Sequence, residues 1–429
     1  MPLFARPKDD LQPEVEDVPP RAPRRLDGAP DPAAGPRSVE AHLAVLLRHV
    51  EALHPFGIGL LDAAGLTLCE AIVADLDLPT FTSATTDGWA VRHANLVGAS
   101  PELPVVLPVV DEIEAGGYRG APMTKGTAVR VAAGAPIPEG ADAVVPSASG
   151  LAVGDEVQFT GEIDHLANLR LVGSRISDGE ELVARGTDLT PRVLGLIAEL
   201  GYDKVLARPR PRVVVLTADS TLVEPGLPLT RLSQTYDACT TLLAATARAD
   251  GAQVFAGGIV PAEPKALATV LGEQLIRSDL VLLVAEVTDE LLGLFTDADA
   301  VDVAEVDALP GRQLFALVGP DQTPVLVLPP GAVGAYLAYL VLGRPLVQRL
   351  AGAQATRPRE VSAPVTVRLE PEASTTRFLL AELTDRGVTP LAMHEVGAAE
   401  LARASAVIVL PAGSEPVAAH GDVTCWPLD

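Results

Sequence analysis

The sequence predicts a multidomain α/β protein, with one three-layer α/β domain flanked by β-rich domains. Three observations predict it. The chain has 429 residues, enough for about three domains at roughly 150 residues each. From Pro211 onward, apolar runs of strand length alternate with segments of helical period, the pattern of a largely parallel sheet covered by helices. On either side of that region lie short β-rich runs broken by Gly and Pro, which read as separate β modules.

Taken in order, residues 1–37 are rich in Pro, Arg, Asp and Glu and show no apolar period. Such a segment cannot offset its ordering entropy by burial. It reads as a disordered tail, a spacer or a short partner-binding segment. Ser38 is an N-cap candidate, and Val39, Leu43, Leu46, Leu47, Val50 and Leu53 follow at helical spacing. A second short helix is expected near Asp62–Ile72. Residues 91–159 hold the runs "PVVLPVV", "TAVRVAAG", "DAVVPSA" and "EVQFTGE" and form an inserted β-rich domain. It divides a discontinuous domain of residues 38–90 and 160–207, where Thr190 and Pro191 open a helix that Gly201 ends. Residues 208–355 form the α/β domain. Its strands are "RVVVLTAD", "AQVFAGGIV", "DLVLLVAEV", "QLFALV" and "TPVLVLPP", and its helices lie near 238–249, 264–277 and 333–349. Residues 356–429 return to a small β-rich domain.

Composition narrows the function. The chain carries 32 basic and 56 acidic residues, a net charge of −24. Tracking a nucleic-acid backbone needs clustered Lys and Arg, so DNA and RNA are excluded as chief ligands. Cys69, Cys239 and Cys425 are far apart, and no Cys/His spacing suggests zinc or a disulfide framework. The start of the chain lacks a basic segment followed by an apolar one, and no apolar run approaches the ~20 residues of a membrane span. A cytoplasmic protein with no direct membrane insertion is expected.

Four motifs in the expected order, "LPTFTSATTDGWAVR", "GTAVRVAAGAPIPEGADAVV", "NLRLVGSRISDGEELVARGTDLTPRVLGLIAELGYDKV" and "VFAGGIV", resemble the MoeA family. That family comprises the molybdopterin molybdenumtransferases and the E domain of gephyrin. The resemblance spans about residues 38–429. It implies an elongated four-domain subunit that forms a homodimer, whose α/β domain is molybdopterin-binding-like. It also implies an enzyme that inserts molybdate into adenylated molybdopterin with Mg assisting. By match to the family's motifs, the catalytic carboxylates would be Asp87, Asp219 and Asp237, with Asp219 and Asp237 on the metal. The ligand loops would carry Ala285, Glu286, Thr288 and Gly331. Each Asp also has an ordinary reading, as a turn residue (Asp87), a loop or cap residue (Asp219) and an N-cap (Asp237).

Against the family pattern, the loop after Val284 has lost its glycines. Ala285, Glu286 and Glu290 stand in their places, and Asp289 adds a further carboxylate. Pro330, Gly331 and Ala332 replace a loop with an amide side chain, and no lysine follows Lys265. Negative side chains where a phosphate needs N–H donors imply weak or lost catalysis. The first expectation is therefore a gephyrin-like dimeric scaffold without cofactor. It would link the cytoplasmic segment of a membrane receptor to an FtsZ-like division protein, and be recruited to the membrane or division site. The alternative is an active molybdopterin molybdenumtransferase using Mg, molybdate and adenylated molybdopterin.

Overall fold

The computed structural model describes residues 25–31, 35–117, 121–296, 298–354, 358–392 and 396–428. The chain divides into two compact units, one of residues up to His54 together with Arg208 onward, the other Pro55–Ala207. No helix among the described residues is long and apolar enough to cross a membrane.

The first unit is built on a six-stranded sheet. Its spatial order is Gln253–Val260, Arg212–Ala218, Leu280–Val284, Thr323–Leu328, Arg312–Val318 and Ala300–Glu305. The first four strands run parallel and the last two antiparallel. Strand 280–284 is buried along its whole length, so its side chains alternate between two cores. Leu280, Leu282 and Val284 face one core with Val213 and Val215. Val281 and Leu283 face the other with Val214 and Leu216. Helices Cys239–Ala249 and Ala332–Ala338 cover the first face and helix Pro264–Leu275 the second. This is the layering that uninterrupted apolar strands require. The "GGIV" motif is a bulge. Register shifts between Val215 and Leu216, skipping Gly257. A Cβ on Gly257 would come within 2.4 Å of Leu216 Cδ2, and Gly258 has φ +74°, so both positions require glycine.

The expected helix over 333–349 is present but divided. Helix 332–338 passes through a π-turn at Tyr339–Gly343 into helix Arg344–Leu350. Pro345 has no N–H to give a carbonyl in the preceding turn, which opens the ladder there. Tyr339 Oη donates to Asp250 Oδ2 (2.8 Å), and Arg344 Nε donates to the same oxygen (2.9 Å). The edge strand 300–305 was absent from the expected set. Its acidic residues, Asp302 and Glu305, conceal the alternation. Residues 356–429 form a five-stranded antiparallel sheet of 361–364, 422–427, 406–410, 377–384 and 387–390.

Two expected boundaries shift. Most of the tail, residues 1–24 and 32–34, lies outside the described residues. Its end does not: Arg25 and Arg37 bridge to Val301 and Val306 of the edge-strand region, and Leu26 is core. Arg37 makes two hydrogen bonds to Asp302 (2.5 and 3.1 Å), with both side chains buried. That paired burial anchors a segment whose composition alone reads as unordered. Helix Val39–Arg48, capped by Ser38 Oγ accepting from Ala41 N, belongs with this unit and not with residues 55–207, because Val45 and Leu46 fill the first core.

The second unit holds a six-stranded sheet in the order 143–146, 88–91, 128–131, 105–113, 156–159 and 150–153. The expected β runs are all there. Helix Pro191–Glu199 has the expected cap, Thr190 Oγ1 accepting from Val193 N, with Pro191 at its first position. The helix expected at 62–72 is replaced by turns and bridges, with Gly65 at φ +76° and Thr67 and Leu68 bridging to Asp188 and Ala207. Pairing there satisfies the backbone that a helix would otherwise satisfy.

His42 supplies a test of the Arg37 anchor. It is fully buried beside Asp302. Burial lowers its imidazole to about 4 from 6.5, Asp302 opposing and Arg37 reinforcing the shift. The unfolded chain takes up a proton that the folded chain refuses, so stability is full above 6.5 and is lost as pH falls toward 4. Urea unfolding should show a loss of about 2 kcal/mol between about pH 7 and about pH 5 from this group. His42→Leu should remove that component. An equally steep loss in the variant would show that His42 is not its source.

Candidate functional site

The parallel strands 212–218, 280–284 and 323–328 end on the same side of their sheet. Each then leads into a loop, and the three loops enclose a cavity of about 580 Å³. Open α/β sheets place their ligands in such a crevice, beyond the carboxyl ends of adjacent strands. Asp219 and Ser220 come from the first loop, Glu286 and Thr288 from the second, and Pro330 and Gly331 from the third. A two-stranded parallel ladder, Leu222–Val223 with Thr235–Tyr236, brings Asp237 and Cys239 into the same wall. Thus Asp219, Asp237, Ala285, Glu286, Thr288 and Gly331 line one cavity.

Both carboxylates have the ordinary structural roles the sequence allowed. Asp219 Oδ1 accepts from Thr221 N (2.7 Å) and Thr221 Oγ1 (2.8 Å). Asp237 is buried, and its Oδ1 accepts from Thr240 N (3.1 Å) at the start of helix 239–249. These bonds fix each group through one oxygen. Among the described residues no hydrogen bond reaches the other oxygen of either. A buried carboxylate held by one oxygen is a natural ligand for a hard cation through the second. Thr217 and Thr240 share a buried hydrogen bond of 2.9 Å beneath this wall, which fixes strand and helix together.

Asp87 lies in the other unit. Its Oδ1 accepts from Ala133 N (2.8 Å) and its carbonyl from Ser147 N (3.0 Å). It ties the turn before strand 88–91 to two neighbouring segments, the turn role its sequence context suggested.

The 285–290 loop is arranged differently from a ring of carboxylates. Ala285 N is spent on Leu328 O and Thr288 N on Glu286 O. Thr288 caps a short helix, Asp289–Gly293, by accepting from Leu291 N. Only Glu286 of the three acidic loop residues lines the main cavity. Glu286, Asp289 and Glu290 all line an adjoining hollow of about 480 Å³, which shares Ala285, Glu286, Thr288 and Pro330 with the first. Arg312 stands there. It donates to Val287 O (2.6 Å) and to Asp289 Oδ1 (3.1 and 3.2 Å). Sequence reasoning missed this cation because it sought a lysine close after the loop. The signal was Arg312 at the head of the strand pairing with 323–328.

Among the described residues the main cavity has no Lys, Arg or His in its lining. Its polar groups are oxygen donors, namely three carboxylates with Ser, Thr and Tyr hydroxyls. Burial, followed by the neighbouring Asp237 carboxylate, pushes the Cys239 thiol up to about 11, against the opposing amide of Gly331. Cys239 is therefore a neutral wall group near neutral pH and not a nucleophile. The lining offers oxygen ligands of the kind a magnesium-like ion takes, Asp219 and Asp237 foremost, while Asp219, Asp237 and Glu286 do not close into a cluster within 4.8 Å among the described residues. The lining does not fit a bare polyanion.

Comparison with known proteins agrees with this architecture. A model of the MoeA N-terminal region (domain I and II) matches residues 37–201. The molybdopterin molybdenumtransferase 2 of Mycobacterium tuberculosis is 30% identical over 409 residues, covering 91% of this chain and all of that protein. A molybdopterin molybdenumtransferase of Staphylococcus epidermidis is 29% identical over 397 residues, covering 87% and 91%. Among solved structures, the molybdopterin biosynthesis MoeA protein of Pyrococcus horikoshii shares the fold at a TM-score of 0.74 and 22% identity. It matches 91% of this chain and 99% of its own. The two-unit architecture and this end-to-end similarity lead to one conclusion: the chain belongs to the MoeA family, that of the molybdopterin molybdenumtransferases.

Proposed function

We propose that this protein is a molybdopterin molybdenumtransferase of molybdenum cofactor biosynthesis, taking adenylated molybdopterin and molybdate as substrates and working with a divalent cation. The observation that carries the reading is the pair Asp219 and Asp237, each held by one oxygen and both lining a cavity of about 580 Å³. That volume lies in the usual range for small-molecule sites. The named activity of the full-length relatives supports the same reading.

When bound, the cation supplies charge neutralisation for a phosphoanhydride among carboxylates. The chain's own residues do the rest. Asp219 and Asp237 bind the cation. The Thr217–Thr240 bond keeps strand and helix in place around them. Leu222, Leu267, Leu291 and Leu294 give the cavity an apolar wall that limits water near the anhydride. Glu286 opposes an anionic substrate directly, so affinity depends on the cation more steeply than a glycine loop would require.

One observation favours a second reading, the scaffold: among the described residues the cavity lining contains no cationic side chain. In that reading a homodimer gives up catalysis and joins a membrane receptor segment to an FtsZ-like division protein.

Anaerobic titration with adenylated molybdopterin separates the two. The transferase reading expects binding with Mg²⁺, and AMP release only when molybdate is also present. Absence of binding at saturating Mg²⁺ would favour the scaffold. Asp219→Asn and Asp237→Asn should each weaken Mg²⁺-dependent binding by more than about tenfold. Glu286→Gln should act in the opposite direction, tightening binding in low Mg²⁺ by several-fold, since one nearby like charge costs about 1 kcal/mol or more. Weaker binding in Glu286→Gln would instead make Glu286 a cation ligand.

A further inference from the structure

We propose that the second unit carries its own site for one divalent transition-metal ion of the zinc class, made by His93, Asp142 and His165. One donor atom from each residue lies within 4.8 Å of the other two. The rings of His93 and His165 meet edge to face with centroids 4.9 Å apart. Two imidazoles and a carboxylate form a nitrogen-rich donor set that suits zinc, cobalt or nickel rather than magnesium. The site is thus chemically distinct from the all-oxygen cavity of the first unit.

The backbone organises these ligands in advance. Asp142 N donates to Val91 O (3.0 Å), and Leu166 N donates to Asp142 O (2.8 Å). Those two bonds fasten the segments carrying His93 and His165 to the one carrying Asp142. Leu166 and Asn168 both have positive φ, a conformation that Asn tolerates and Leu does not favour. Asp142 Oδ1 accepts from His93 N (2.6 Å), and Oδ2 pairs with His93 Nδ1 (2.8 Å). An ion can take the place of the proton between His93 Nδ1 and Asp142 Oδ2, making both atoms ligands, with a ring nitrogen of His165 as the third. Among the described residues no hydrogen bond engages His93 Nε2 or either ring nitrogen of His165. Asp142 and His93 are about one-third exposed and His165 is exposed, so an ion can enter from solvent. Three protein ligands leave room for water in the remaining position. The ion would tie three separate segments of the unit together.

Tag-free full-length protein, stripped by chelator and kept in excess Mg²⁺ to occupy the carboxylate cavity, is titrated with Zn²⁺ by calorimetry and with Co²⁺ by visible absorption. The expected result is one Zn²⁺ per chain, a cobalt spectrum of low coordination number, and a zinc-dependent rise in melting temperature. His165→Gln alters an exposed side chain and should fold normally by circular dichroism. It should weaken Zn²⁺ by more than about tenfold and abolish the thermal shift, as should His93→Gln. His54→Gln, outside the cluster, should change neither. No zinc binding by the wild type, or unchanged affinity in folded His165→Gln, would overturn the proposal.

Discussion

The burial of strand 280–284 on both faces is the constraint on which the rest depends. A strand with no exposed side chain needs a covering layer on each face of its sheet. Once strands 212–218 and 323–328 pair with it, their three following loops must emerge together. Asp219, Glu286 and Gly331 then share a cavity even though long stretches of sequence separate them. The residues of the site are placed by packing, and their chemistry is superimposed on that placement.

Charge decides what the site can hold. Among the described residues its lining offers oxygen donors and no cation. The basic residue nearest in role, Arg312, lines the adjoining hollow and is paired with Asp289. All three acidic residues of the loop line the adjoining hollow and only Glu286 also lines the main cavity, which is thus less hostile to an anion than a count along the sequence suggests. Glu286 still faces it. A cation is the one group that makes three carboxylates and a phosphoanhydride compatible.

Much of this was legible in the sequence. Long apolar runs gave the strands of the central sheet, and Ser38, Thr190 and Pro191 marked helix starts by capping chemistry that is local. The cavity carboxylates Asp219 and Asp237 were legible through their match to the family's motifs, while their positions after a strand and before a helix equally suggested loop and cap roles. The remainder depends on long-range contacts. Arg37 lies in a segment of disordered composition and becomes ordered only through Asp302, 265 residues away. Strand 300–305 looks acidic until its alternate residues are seen to face the core. The partner that holds Asp87 in its turn, Ala133 N, lies 46 residues away. Arg312 could be found only by pairing its strand with the next.

The central claim is that Asp219 and Asp237 jointly hold a divalent cation. Crystals grown with Mn²⁺ in place of Mg²⁺ test it most directly, through the anomalous signal of manganese. The account predicts a single strong peak in the cavity of the first unit, within coordination distance of both carboxylates and lost in Asp237→Asn. A ligand phosphate seated against the 285–290 loop with no ion beside those carboxylates would contradict it.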